Sequence, residues 1–306
     1  MPDKTRTWID AHIHVSDLDR DGAWRDNMLA ELLAVLDRSG HDLRLVISPD
    51  GQYLSDIGRD PEGMWRANEM IRRLVQHAPD RLYGSLMINP NFLDDTLHLM
   101  DAAFGEWGFV QLGEMLQYSH HYQMDADATE TVVRHAVDFK VPVQVHIGTY
   151  YGIHSGTTSE AGMEQLADLL RCAERVPEAQ YILAHAIGCG PSREYIPWAG
   201  MVLDTLATHF PKYPDNFWVE IRDFQCPALQ RTLAEVPTER LLSGTDWTTR
   251  LGPPFQSYGT MFDVPEDENP FAPGIDAFVG FLETAGATTE QIELIGAGNA
   301  KRLYRL

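Results

Sequence analysis

Disulfide chemistry has little to work with in this chain: 306 residues hold three cysteines, Cys172, Cys189 and Cys226, far apart and without a C-x-x-C pair. A disulfide framework is not expected, and free buried thiols in a reducing compartment fit better. Basic residues are scarce as well, with 24 Lys+Arg against 45 Asp+Glu and a formal net charge of -21. So acidic a surface repels nucleic acid and anionic membranes and favours solubility. No run reaches the roughly 18 consecutive apolar residues that read as a membrane span. Met1 to Thr7 is polar, without the apolar stretch of a signal peptide. The expectation is a soluble cytoplasmic protein acting on a small molecule, with neither nucleic acid nor membrane as partner; a homo-oligomer is left open. A glycine-rich G-x-G-x-x-G turn after the first strand-like run is also missing, which argues against an open doubly wound sheet.

What the chain does have is regular punctuation. Strand-like runs recur at Trp8–Ile13, Leu43–Ile47, Leu82–Ile88, Phe109–Leu112, Val141–Ile147, Tyr181–Ala184, Phe217–Ile221 and Leu241–Ser243. Helical stripes fill the gaps, among them Met28, Leu29, Leu32, Leu33 and Leu36, with Gly40 as a stop. Asp60-Pro61 reads as an N-cap and first helical position, and Thr288 with Gln291 as a capping box. Eight alternating strand and helix signals predict a closed (β/α)8 TIM barrel, one domain over residues 1–306. Its longest irregular stretch is a Pro-rich loop, 250–274, placed after strand 8 to cover the mouth as a lid or reach a neighbouring subunit.

The chemistry sits at the ends of those runs. His12 and His14, Glu114, His146, His185 and Asp246 each close a strand-like segment, and such a barrel gathers all those ends at one mouth. Taken singly, each has a bland reading: a packed core histidine, a loop charge or a helix cap. Together they form a set able to ligate metal and move protons. Residues two apart on a strand share a face, so His12 and His14 are expected to point the same way as Trp8 and Asp10.

Asp10-Ala11-His12-Ile13-His14, the strand-end His146 and His185, Ser243-Gly244-Thr245-Asp246-Trp247 and Gly298-Asn299-Ala300-Lys301-Arg302-Leu303-Tyr304 occur in an order that resembles the amidohydrolase superfamily. The resemblance is to its amidohydrolase-2 group of lactonases, hydrolases and non-oxidative decarboxylases. It implies metal ligation by His12, His14, His146 and Asp246, with Asp246 also transferring protons. His185 would be a second-metal ligand or a catalytic histidine. Glu114 matches the bridging position of binuclear relatives and leaves a two-metal site open, although the group as a whole favours one ion. Imidazole and carboxylate donors suit zinc, the first expectation, and also manganese or iron(II).

The function so implied is hydrolysis of a small, carboxylated or neutral molecule at a carbon–oxygen or carbon–nitrogen bond, through metal-activated water. A non-oxidative decarboxylase of an aromatic or dienoic acid is the alternative. On the seventh strand Phe217, Val219 and Ile221 should face the helices, leaving Trp218, Glu220 and Arg222 inside. Arg222 would then hold a substrate carboxylate, or else form a salt bridge with Glu220 or Asp223. Tyr118, His120, His121, Tyr150, Tyr151, His154 and Trp247 lie just past strand ends as pocket candidates.

Overall fold

In the computed structural model, residues 5–17, 27–50, 52–147, 159–187, 196–222, 224, 226–248 and 274–306 are described. The chain runs β1 (Thr7–Val15), α1 (Met28–Arg38), β2 (Asp42–Pro49), α2 (Gln52–Arg59), α3 (Pro61–His77), β3 (Leu82–Leu86) and α4 (Leu93–Gly105). It continues through β4 (Gln111–Met115), α5 (Gln117–His120), α6 (Asp127–Phe139), β5 (Val143–His146), α7 (Ser159–Arg175) and β6 (Tyr181–Ile187). Then come α8 (Ile196–His209), β7 (Phe217–Ile221), α9 (Leu229–Glu235), β8 (Leu241–Ser243) and β9 (Trp247–Thr248). Helices α10 (Gly274–Thr284), α11 (Thr289–Glu293) and α12 (Asn299–Tyr304) follow. The expected caps form: Asp60 accepts from Gly63 N at 2.6 Å with Pro61 at the first position, and Thr288 and Gln291 make a reciprocal capping box.

All strand pairings are parallel, and β1 to β8 follow one another in space as in sequence, the (β/α)8 barrel expected. Closure is made by β9, whose Trp247 and Thr248 pair with Ile13 and His14 of β1. The last strand is thus split: β8 pairs with β7, three residues intervene, and β9 pairs with β1. Two strand boundaries moved for local reasons. Phe109 N bonds to Ala103 O and finishes the turn out of α4, so β4 begins two residues later than its apolar run. Val141 N bonds back to Ala136 O, and Pro142 has no N–H to give the ladder, so β5 begins at Val143.

The face assignment on β1 is corrected. Trp8 packs outward against Phe224 and Phe278 in the layer between barrel and helices. Ile9 and Ala11 point into the barrel with Val46, Ile182, Trp218 and Leu242. A register shift between Asp10 and Ile13 inserts a bulge, and a one-residue slip exchanges faces. His12 and His14 therefore do not share the face of Trp8; they turn inward because the strand is bulged beneath them. On β7 the expectation stands: Phe217, Val219 and Ile221 pack against the helices and Trp218 points inside. Ala297, Ala300, Leu303 and Tyr304 plug the barrel end opposite the mouth, where each fully buried large apolar side chain contributes roughly 1.5–3 kcal/mol. No helix among the described residues is long and apolar enough to cross a membrane. The loop expected over 250–274 lies, but for Gly274, outside the described residues.

Candidate active site

His12, His14, Glu114, His146 and His185 converge at the mouth with 7% exposure or less, and Asp246 joins them at 18% for its side chain. Their directions follow from what stands behind each ring. His12 Nδ1 lies 2.8 Å from Glu220 Oε2, and His14 Nδ1 lies 3.0 Å from the carbonyl of Pro49. Oxygen acceptors of that kind draw the imidazole proton to Nδ1, which turns each Nε2 electron pair inward. The two Nε2 atoms are 3.0 Å apart. Glu114 Oε2 is 3.6 Å and 3.4 Å from them, and Asp246 Oδ1 stands at the same two distances.

Four electron-rich atoms aimed at one point need a positive charge. Burial works against a charge on His12, but the carboxylates of Glu220, Glu114 and Asp246 outweigh it and hold its pKa well above the usual range. His14 behaves alike: hydrogen bonds to Asp246 and Glu114 overcome burial and push it up to about 10. A site that retains a proton so firmly, with imidazole and carboxylate donors, fits a divalent cation. A second group adjoins the first. Glu114 Oε1 is 2.8 Å from His146 Nδ1 and 2.9 Å from His185 Nε2. Each of the two donor groups, His12–His14–Glu114 and Glu114–His146–His185, has its ligand atoms within 4.8 Å of one another. His146 Nε2 and His185 Nδ1 are buried without a hydrogen-bond partner among the described residues.

Backbone geometry delivers these side chains. Asp246 and His185 have φ of 54° and 40°, left-handed positions that cost non-glycine residues on the order of 1–3 kcal/mol. The backbone N of Asp246 donates to His12 O at 2.8 Å, and Asp10 accepts from the Thr245 backbone at 3.0 Å and its hydroxyl at 2.6 Å, so the turn is tied to β1. Glu114 follows Gly113, whose φ is 133° and where a Cβ would stand 2.4 Å from Gln144 O. Gly244 is required for another reason: a Cβ there would meet Glu220 Cγ at 2.4 Å and Cδ at 2.5 Å. Glu220 is pinned on three sides and cannot give. Gly244→Ala is expected to destabilise by about 1–3 kcal/mol or more, read as a lower urea midpoint at unchanged m. A midpoint equal to wild type would show that Glu220 moves freely.

Arg222 does not form the salt bridge expected with Glu220. Its Nη2 lies 3.2 Å from Asp246 Oδ2, both side chains largely buried, because Glu220 is directed to His12, Gln144 and the His185 backbone. Asp223 lies outside the described residues. Burial raises the pKa of Asp246, but Arg222, His12 and His14 overcome it and hold the carboxyl well below the usual range. Glu114 is lowered too, because His146 and His12 prevail over burial. His185 moves the other way: burial and the neighbouring His146 depress it, so the ring is neutral at neutral pH.

Among the expected pocket residues, Tyr118 stands at the site, its ring 4.6 Å from that of His146. His120 turns away and bonds to Leu54 O at 3.1 Å, and His121 is exposed in a left-handed turn. Tyr150, Tyr151 and His154 lie outside the described residues, as does the side chain of Trp247. Sequence reading assigned no role to Asp10, Gln111 or Gln144, and gave Glu220 only its inward position and a salt bridge with Arg222. The signal was there: each is a polar residue inside an apolar strand-like run, where only a hydrogen-bonding duty compensates burial.

The family model for amidohydrolases, Amidohydro_2, matches residues 9–306. No curated protein matches the chain. Among solved structures, 5-carboxyvanillate decarboxylase from Sphingomonas paucimobilis is similar at TM-score 0.68 and 17% identity, over 99% of this chain and 100% of that one. Dihydroxybenzoic acid decarboxylase from Polaromonas sp. JS666, bound to manganese and 2-nitroresorcinol, gives 0.67 and 18% over 99% and 98%. The 4-oxalomesaconate hydratase from Rhodopseudomonas palustris gives 0.63 and 16% over 98% and 96%. At such identities the structures share the fold. With the match running through nearly the whole barrel, the chain belongs to the amidohydrolase family, Amidohydro_2.

Proposed function

We propose that the protein is a metal-dependent hydrolase of a small molecule, with Glu114 shared between two cation positions. One observation carries the reading: the two oxygens of Glu114 face different histidine pairs, Oε2 toward His12 and His14 and Oε1 toward His146 and His185. A carboxylate with two imidazole nitrogens facing each oxygen can serve a cation on either side. This departs from the single ion that the family resemblance favours. Zinc suits the donors, and so does manganese, which the Polaromonas relative binds.

Divalent cations so held supply Lewis acidity and lower the pKa of water toward neutrality. The chain's own groups do the rest. Asp246 Oδ1, beside His12 and His14, takes the proton of the attacking water and passes it to the leaving group. Arg222 on Oδ2 keeps that carboxylate oriented and ionised, so the proton is handed on rather than retained. Neutral His185 keeps one nitrogen on Glu114, and its buried Nδ1 has no hydrogen-bond partner among the described residues, which leaves it one hydrogen bond to make with a substrate group that reaches it.

A non-oxidative decarboxylase is the second reading, favoured by the likeness to two decarboxylases of carboxylated phenols. In that reaction the carbon–carbon electron pair stays on the ring as carbon dioxide departs, and Asp246 or His185 supplies the replacing proton. Across a panel of lactones, amides and carboxylated phenols, the zinc- or manganese-loaded enzyme should open a lactone with release of a proton, or cleave an amide with release of an amine, and produce no carbon dioxide from the phenols. Carbon dioxide stoichiometric with turnover would overturn hydrolysis in favour of the second reading. Less than about a tenth of an equivalent of metal after reconstitution would sink both.

A further inference from the structure

The barrel interior carries one unbroken chain of hydrogen bonds from the plugged end to the mouth. Tyr304 Oη donates to Gln111 Oε1 at 2.5 Å. Gln111 Nε2 donates to Gln144 Oε1 at 2.9 Å, and Gln144 Nε2 to Glu220 Oε1 at 2.7 Å. Glu220 Oε2 accepts from His12 Nδ1 and from the backbone N of His185, both at 2.8 Å. Every side chain in it is buried: Tyr304 is 6% exposed and the other four 1% or less.

The polarity of this chain is forced. A carboxylate only accepts, so Gln144 must turn its amide nitrogen to Glu220 and its oxygen to Gln111. Gln111 must then answer with nitrogen, leaving its oxygen for Tyr304, whose hydroxyl donates. Ser85 imposes the same sense independently. Its hydroxyl donates to Gly113 O at 2.5 Å, so its oxygen accepts the other amide hydrogen of Gln111 at 3.1 Å. Every dipole therefore presents its positive end toward Glu220. Aligned hydrogen bonds in a low-dielectric interior reinforce one another.

We propose that Glu220 is the positioning residue that fixes the proton of His12 on Nδ1, and that Tyr304, through Gln111 and Gln144, holds Glu220 in that role from the opposite end of the barrel. The consequence for metal rests on the metal-centre reading above. A carboxylate behind an imidazole orients the ring and strengthens the other nitrogen as a donor. The same Glu220 oxygen grips the backbone of His185, so one group sets the geometry of both donor pairs.

The test uses the zinc-loaded protein. Zinc affinity is measured by competition with a chelator, and the His12 Nδ1 proton is followed by nitrogen-15-edited NMR. Glu220→Gln keeps the shape but removes the charge, and should weaken zinc roughly tenfold or more while moving the His12 signal upfield. Tyr304→Phe removes one hydroxyl at the far end of the barrel and should weaken zinc by at least roughly twofold, with a smaller shift in the same direction. If Glu220→Gln fails to fold, Tyr304→Phe decides alone. A purely structural Tyr304 would lower the melting point and leave zinc affinity and the His12 signal untouched. That result, or wild-type zinc affinity in folded Glu220→Gln, overturns the proposal. Failure of the wild type to bind zinc strikes the metal reading instead, while the His12 signal in the two variants still tests the chain.

Discussion

Asp246→Asn is expected to lower kcat by roughly 10²-fold or more while leaving the fold and the bound metal in place. Asparagine keeps the shape and one oxygen beside His12 and His14, but an amide cannot take the proton of water at neutral pH. The backbone conformation is also preserved, since asparagine tolerates the left-handed φ of 54° as aspartate does. Arg222 loses the negative partner at 3.2 Å, and some stability with it, though the pair sits at the mouth and not in the packed interior. Because Arg222, His12 and His14 keep Asp246 ionised far into acid, protonation of this carboxyl will not set the acidic limb of the pH–rate profile. Steady-state kinetics on a metal-loaded, folded variant decide the matter. Near-wild-type turnover would pass the proton-carrying role to His185 or Glu114.

Glu114→Gln should remove one of two metal equivalents. The amide keeps the volume between the two histidine pairs but carries no charge and has only one oxygen to offer. It faces His12 and His14 or it faces His146 and His185; it cannot serve both. The retained ion should bind at least roughly tenfold more weakly, the lower end of what even a supporting partner of a metal ligand contributes. Plasma emission on the wild type and the variant gives the stoichiometries. One equivalent in each would show that the two pairs do not act as separate cation positions.

Much of this was legible in the sequence because a parallel barrel writes itself as repeated apolar runs, each closing on its functional residue. His12, His14, Glu114, His146, His185 and Asp246 reach the same mouth for that reason. The misreadings are local and physical. Strict alternation put Trp8 and His14 on one face, and a bulge between Asp10 and Ile13 undid it; one inserted residue leaves no mark in an apolar pattern. Of the near neighbours offered to Arg222, Glu220 is turned elsewhere, and Arg222 meets Asp246 in the turn between β8 and β9. That pairing depends on a three-dimensional register that spacing along one strand does not encode. The split last strand was invisible too, since two residues of β9 are too few to show a period.

That split strand also dictates the order in which the molecule can be made. Asp10 and Thr245 lie 235 positions apart, and their bonds close the ring of strands beside the residues that would take metal. A chain leaving the ribosome exposes His12 and His14 first and Asp246 only after most of its length has been synthesised. Nascent β1 therefore waits without its final neighbour, with two histidines and no closing carboxylate. Entropy does not make the wait costly to end, since closing a longer loop adds only about 0.6 kcal/mol per doubling of length. Time does, because pairings so distant in sequence are among the slowest to form. The centre is completed by the last strand to arrive, which makes assembly of the ring and readiness for chemistry a single late event.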